Sequence, residues 1–206
     1  MQAITIVETV AKDLSDVTYI TWLKSELTEY LNSAIRRICL VRPDASSAVS
    51  TVQLVAGTKQ EIPATARRLL DVVRNMGDDG LTAGKVITST DMRSMDLYRP
   101  NWHKDTAKTY VDHFIYDEDT PDTFYVTPPV HATTAVYIEA KFSQNPTEIT
   151  DVDNDAIPIN DVYESAIRHW MLHRAYEKES DSDISLNESR FHLQAFNNTL
   201  GIKTQT

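Results

Sequence analysis

The chain has 206 residues, 41% hydrophobic and 24% charged, with 20 basic against 30 acidic side chains and a net charge of −10. That length suits one domain with a sizeable core, and the proportions lie outside those of chains too polar to fold. The acidic excess argues against ordinary gripping of DNA or RNA, which needs clustered Lys and Arg to release counterions from phosphates. Such a charge serves solubility, or a surface that passes near nucleic acid without holding it.

No apolar run approaches the roughly 18 residues of a membrane span. The start, MQAITIVETVAKDL, lacks a basic region followed by an apolar core and a cleavage site, so no signal peptide is expected and the protein is expected to be made and assembled in the cytosol. Cys39 stands alone in a helical pattern, which excludes a disulfide framework and a cysteine zinc site and makes it a small core residue.

In chain order, Thr5 to Leu14 reads as a short amphipathic helix. From Thr21 to Val41, Leu23, Leu27, Tyr30, Leu31, Ala34, Ile35 and Ile38 recur at three- and four-residue steps, predicting a longer helix ended by Pro43. Ser50 to Ile62 predicts a hairpin turning at Ala56-Gly57-Thr58. A strand over Leu69 to Val73 follows a turn at Pro63 to Ala66 and ends at Asn75 to Gly80. Asp91 to Asp96 predicts a short helix, and Pro100 opens a loop carrying Trp102.

Next comes a predicted β-meander: Thr109 to Tyr116, a turn at DEDTPD, Thr123 to Thr127, a break at Pro128-Pro129, then Thr133 to Phe142. Val136, Ile138, Ala140 and Phe142 share one face, and Tyr137, Glu139 and Lys141 the other, as in an antiparallel sheet with one covered side. Asp161 with Glu164, and Ser185 with Glu188, have capping-box spacing before helices running to Lys178 and Leu200. Gly201 stands where a helix C-cap glycine belongs, and Ser189, Leu193, Phe196 and Leu200 mark the inward stripe. The expected class is α+β, a bundle of N- and C-terminal helices (1–44 and 158–201) with an antiparallel β-region (50–145) inserted, all in one domain.

Candidate chemistry is sparse. His169 and His173 sit one helical turn apart, a metal-pair spacing, but the glutamate of His-Glu-x-x-His is missing and a third ligand would have to come from elsewhere. Their helix is apolar nearly all round at its centre, with Val162, Ala166, His169, His173 and Tyr176 in one stripe, so packing is the preferred reading. Asp151, Asp153 and Asp155 open like a calcium loop, yet Ala156 and Val162 replace its Gly and Glu, which leaves a solvated turn. Asp117, Glu118 and Asp119 lie in a hairpin turn, and Glu179, Asp181 and Asp183 between two helices, both read as solvated loops. His103, His113 and His131 have no spacing that pairs them with Ser or Cys. With no nucleophile elbow or phosphate loop, the expectation is no enzyme, no cofactor and no bound metal.

Taken in order, YLNSAIRRICLVRPDA, STVQLVAGTKQEIPATARRLLDVVRNMG, DTFYVTPP and VYESAIRHWMLHRAYEKESDSD resemble the tail tubular protein A-like adaptors of tailed phages. The resemblance runs from about Leu31 to Leu200 and rests on packing and turn motifs. It implies a virion neck protein, a dodecameric ring under the portal that carries the tail or nozzle protein below while DNA passes without specific binding. A stopper or tail terminator is the alternative within that class, and a metal-dependent enzyme using His169 and His173 the alternative outside it. A closed ring makes each subunit use two different surfaces. Candidate interface residues on the long helices are Trp22, Tyr30, Tyr163, Trp170, His173 and Tyr176, because aromatics dominate desolvated interface cores. The hairpin Asp117, Glu118, Asp119 is the candidate tail-facing element, and IKTQT after Gly201 a tail that orders on the portal.

Overall fold

A computed structural model describes residues 1–179 and 182–202. It is α+β and divides into two compact units, residues 1–46 with 146 onward, and residues 47–145. Asp181 and the last four residues of IKTQT lie outside the described residues.

The first unit is helical. Helix α1 (Ala3–Asp13) buries Ala3, Ile6, Val7, Val10 and Ala11, a three- and four-residue repeat that gives one apolar stripe. Helix α2 (Lys24–Val41) buries Leu27, Leu31, Ala34, Ile35, Ile38 and Cys39. It starts three residues later than the periodicity predicts because Asp16 claims the preceding backbone. Its Oδ1 accepts the Ile20 N–H at 2.9 Å, and its Oδ2 accepts those of Thr21 and Trp22 at 2.8 and 2.9 Å. Ser15 and Tyr19 take left-handed φ of 56° and 55° to close this turn.

Helix α4 (Glu164–Lys178) and helix α5 (Asp183–Thr199) pair closely, and α4 also contacts α1 and α2. Both predicted capping boxes are displaced. Asn160 caps the 3₁₀ turn ahead of α4, while Asp161 binds the N-terminal ammonium of Met1 at 2.8 Å. Ser182, not Ser185, caps α5, accepting the Ser185 N–H at 3.1 Å. At the far end Gly201, φ 71°, donates to Asn198 O, and Ile202 donates to Asn197 O, a Schellman closure at the predicted glycine.

The stretch from 146 to 160 is more than a solvated turn. Asp151 and Asp155 do satisfy local backbone N–H groups, but Ile149, Val152, Ile157 and Ile159 are buried in the helical core. Asn32 clasps Ile149 in both directions at 2.9 Å, and Ile157 N–H donates to Met1 O.

The second unit holds two sheets. Strands β1 (Ser47–Gln53), β7 (Tyr137–Gln144) and β3 (Ala66–Asn75) form one, in the order β1-β7-β3, all antiparallel. Strands β2 (Gly57–Glu61), β6 (Thr123–Val130), β5 (His113–Tyr116) and β4 (Thr88–Ser89) form the other in that order, with β4 parallel to β5. The predicted 50–62 hairpin is therefore corrected: β1 and β2 belong to different sheets. So is the meander, of which only the β5–β6 hairpin exists. The prolines 128 and 129 do not break β6. They fall where its register against β2 slips, from Lys59 opposite Tyr125 to Gly57 opposite Val130, so no ladder hydrogen bond is asked of them.

Alternation along β7 holds as read, with Ile138, Ala140 and Phe142 buried and Tyr137, Glu139 and Lys141 half-buried. Phe124, Val126 and Phe114 of the other sheet join them in one core. Asp91 caps helix α3 (Met92–Tyr98), and Trp102 is buried with Met95 and Ile115, its indole N–H donating to Asp96 at 2.9 Å.

Candidate functional site

The histidines fall on the α4–α5 seam. His169 Nδ1 meets His192 Nδ1 at 2.9 Å, so one imidazole donates and the other accepts, which requires at least one neutral ring. His192, on α5, was not singled out by the sequence because its partner is 23 residues away on another helix. His173 turns its Nδ1 to the Ser189 hydroxyl at 2.9 Å and carbonyl at 3.1 Å. The expected His169–His173 pair is thus split between two different jobs. Among the described residues, His, Cys, Asp and Glu form no group of three able to hold a metal ion.

Burial pushes all three imidazoles below their ordinary value near 6.5, with Arg168 adding to the effect at His169 and His169 at His192. Asp13 opposes the shift at His169 and His192, and Glu188 opposes it at His192. A depressed folded pKa places the associated stability above pH 6.5 and removes it as pH falls through the folded values. The melting temperature of the wild type should therefore drop by a few degrees between pH 7.5 and 5, and His169→Gln/His192→Gln should flatten that slope. Equal slopes in thermal scans of the two proteins would rule out the pair as the cause.

Each aromatic proposed for an interface has a partner inside its own unit. Trp22 is only 6% exposed, its indole N–H 3.4 Å from Ala175 O, so its ring belongs to the core and has little surface left for a neighbour. Trp170 donates to Ser33 Oγ at 3.1 Å, lies under Arg37 and packs on Phe196 with centroids 4.9 Å apart. Tyr176 stacks on His192 with rings parallel within 1°. Tyr30 donates to Glu26 at 2.7 Å, and burial with that carboxylate raises its hydroxyl pKa. Tyr163 packs half-buried on the helical core. In contrast Val162, placed by periodicity in one stripe with His169 and His173, is 74% exposed, because the chain there is a 3₁₀ turn and the helical phase begins only at Glu164.

In the second unit the β5–β6 turn carries Asp117, Glu118 and Asp119, all exposed, with Glu118 bound to Arg68 at 2.7 Å. They rim an open groove of about 900 Å³ whose other walls include Met92, Ile115, Tyr116 and Tyr125. The remaining histidines pair with threonines the sequence did not suggest. His103 Nδ1 lies 2.8 Å from Thr58 Oγ1, His113 Nδ1 2.6 Å from Thr88 Oγ1, and His131 Nδ1 3.3 Å from Thr133 Oγ1. These contacts tie strands and loops together, since among the described residues no carboxylate hydrogen-bonds any of these rings to orient it as a base.

The exposed features that remain among the described residues are apolar side chains on the helices and an acidic rim beside the groove of the β5–β6 sheet. No curated protein gives a match to the chain. The family model described as SU10 adaptor protein matches residues 1–206, the full sequence, and the chain belongs to that family of phage adaptors.

Proposed function

We propose that this adaptor is a structural, non-enzymatic subunit of a dodecameric ring that joins the portal to the tail or nozzle protein in the phage neck. The observation that carries the reading is family membership along the whole chain. The net charge of −10 fits a ring through which DNA passes without being held. Carboxylates facing the lumen repel phosphates within a screening length of about 8 Å and leave the duplex free to slide. The hairpin of Asp117, Glu118 and Asp119, with the groove beside it, is the surface offered to the tail component. Assembly takes place in the host cytoplasm, on the portal.

Native mass spectrometry of the purified full chain, alone and with the portal ring of the same phage, tests this, with total metal measured on the same sample. A metal-free protein that gains a defined stoichiometry on the portal is the expected result. Indifference to the portal, or binding at the tail end alone as a terminator would show, overturns it.

A further inference from the structure

We propose that neighbouring copies meet head to tail through two patches of the helical unit, the outer stripe of α5 on one copy and the outer face of the α2 C-terminal half on the next. The assignment rests on the ring reading above and names the surfaces that close it.

On α5, Ile184, Glu188 and Phe191 follow one another at four and three residues and so share one helix face. Ile184 is 76% and Phe191 59% exposed, an uncovered apolar pair two turns apart. The inward stripe of the same helix, Ser189 and Phe196, lies on the other side. Asp183–Glu188 contains two acids and no base, and among the described residues neither acid has an ion-pair partner. Arg190 flanks the stripe about a quarter turn away.

The α2 patch has the opposite sign. From Asn32 to Arg42 there are three arginines and no acid, and Leu40 among them is 50% exposed. Arg36 reaches Glu148 and Arg42 reaches Asp44, each only at 3.4 Å, and Arg37 lies on the Trp170 ring rather than on a carboxylate. The two patches sit at different stations along α4. The α5 stripe lies beside its C-terminal half, through His173 with Ser189 and Tyr176 with His192. The far end of α2 lies by its N-terminus, where Tyr163 feels the charges of Arg42 and Asp44.

Charge decides the mode of pairing. Two α5 stripes face to face would oppose Glu188 and Asp183 to their own copies, and two α2 patches would oppose arginines, so a twofold contact is disfavoured through either surface. An α5 stripe on an α2 patch brings Glu188 to Arg36 while Ile184 and Phe191 cover Leu40. Because the two patches differ, a joined pair still offers one free patch of each kind, an α2 patch on one copy and an α5 stripe on the other, which is the condition for a ring rather than a closed dimer.

The test uses the full chain and its portal, with Glu188→Arg, Arg36→Glu and the two combined, each checked for native helicity by circular dichroism. Ring assembly is read by native mass spectrometry. Each single reversal should raise the protein concentration needed for assembly about tenfold or more, and the combination should recover most of that loss, since the swapped charges again match. Ile184→Ala/Phe191→Ala, which removes no charge, should weaken assembly without lowering the melting temperature. Wild-type rings with singly reversed variants that assemble equally well would overturn the surface assignment and leave the ring intact. Loss in the singles without recovery in the combination would also overturn it, pointing these patches at a different protein. Wild type that forms no ring on the portal would instead defeat the ring reading itself.

Discussion

Phe196→Ala should lower the stability of the helical unit by about 3–5 kcal/mol, the cost of emptying a buried phenylalanine site. Phe196 is fully buried and packs on Trp170, and it is the largest side chain with which α5 reaches the core of its unit. Ser189, the other buried residue within α5, supplies a hydrogen bond to His173 rather than apolar area. Against a total stability of about 5–15 kcal/mol the loss is large, and at about 2–4 °C per kcal/mol it lowers the melting temperature by roughly 10 °C. Phe196→Leu keeps most of the volume and should cost less than about 1.5 kcal/mol. Urea titration followed by circular dichroism distinguishes the two. A wild-type midpoint in Phe196→Ala would mean that α5 is held by the histidine seam and not by this ring. Since α5 also carries the proposed acidic stripe, its release should abolish assembly on the portal even where the rest of the chain stays folded.

Asn75→Leu should be as damaging to the second unit, for a different reason. The amide of Asn75 is buried and fully used. It accepts the Val111 N–H at 2.8 Å and donates to Val111 O at 2.8 Å and Lys85 O at 3.0 Å. One side chain thereby ties the end of β3 to the chain at Val111 and reinforces the backbone bonds that residue 75 makes with Gly84 and Lys85. A leucine fills the space but strands the Val111 N–H and C=O, at about 1–3 kcal/mol each, while Lys85 O keeps the backbone N–H of residue 75, and the total is about 3–5 kcal/mol. Hydrogen exchange should speed up by two or more orders of magnitude at Val111, about 1.4 kcal/mol per factor of ten. Retained protection there would show that the loop is held by its apolar contacts alone.

Among the described residues of the helical unit, the aromatics of α2 and α4 pack on its core, and the exposed large apolar groups lie on α5, at the end of α2 and in the turns. The periodicity of the long helices pointed to surplus apolar surface needing a cover. Part of that cover comes from within the unit, where α4 packs against both α2 and α5.

What the sequence determined by itself is local. Helix periodicity placed α1, α2, α4 and α5 within a few residues, Pro43 and Gly201 ended their helices where backbone chemistry requires, and the two-residue alternation of β7 correctly sorted its buried face. The resemblance in packing motifs reached the right family. What only the tertiary structure decided is every pairing between distant residues. Alternation says that a segment is a strand but not which strand it joins, so β1 was assigned to its neighbour β2 when its partner β7 lies about ninety residues on. The capping positions slid for a related reason, since Ser182 and Ser185 are equally good acceptors and the packing of α5 on α4 chooses between them. Likewise His169 shows no sign in the sequence of His192, nor Thr58 of His103, because a hydrogen bond closed by the fold leaves no spacing to read along the chain.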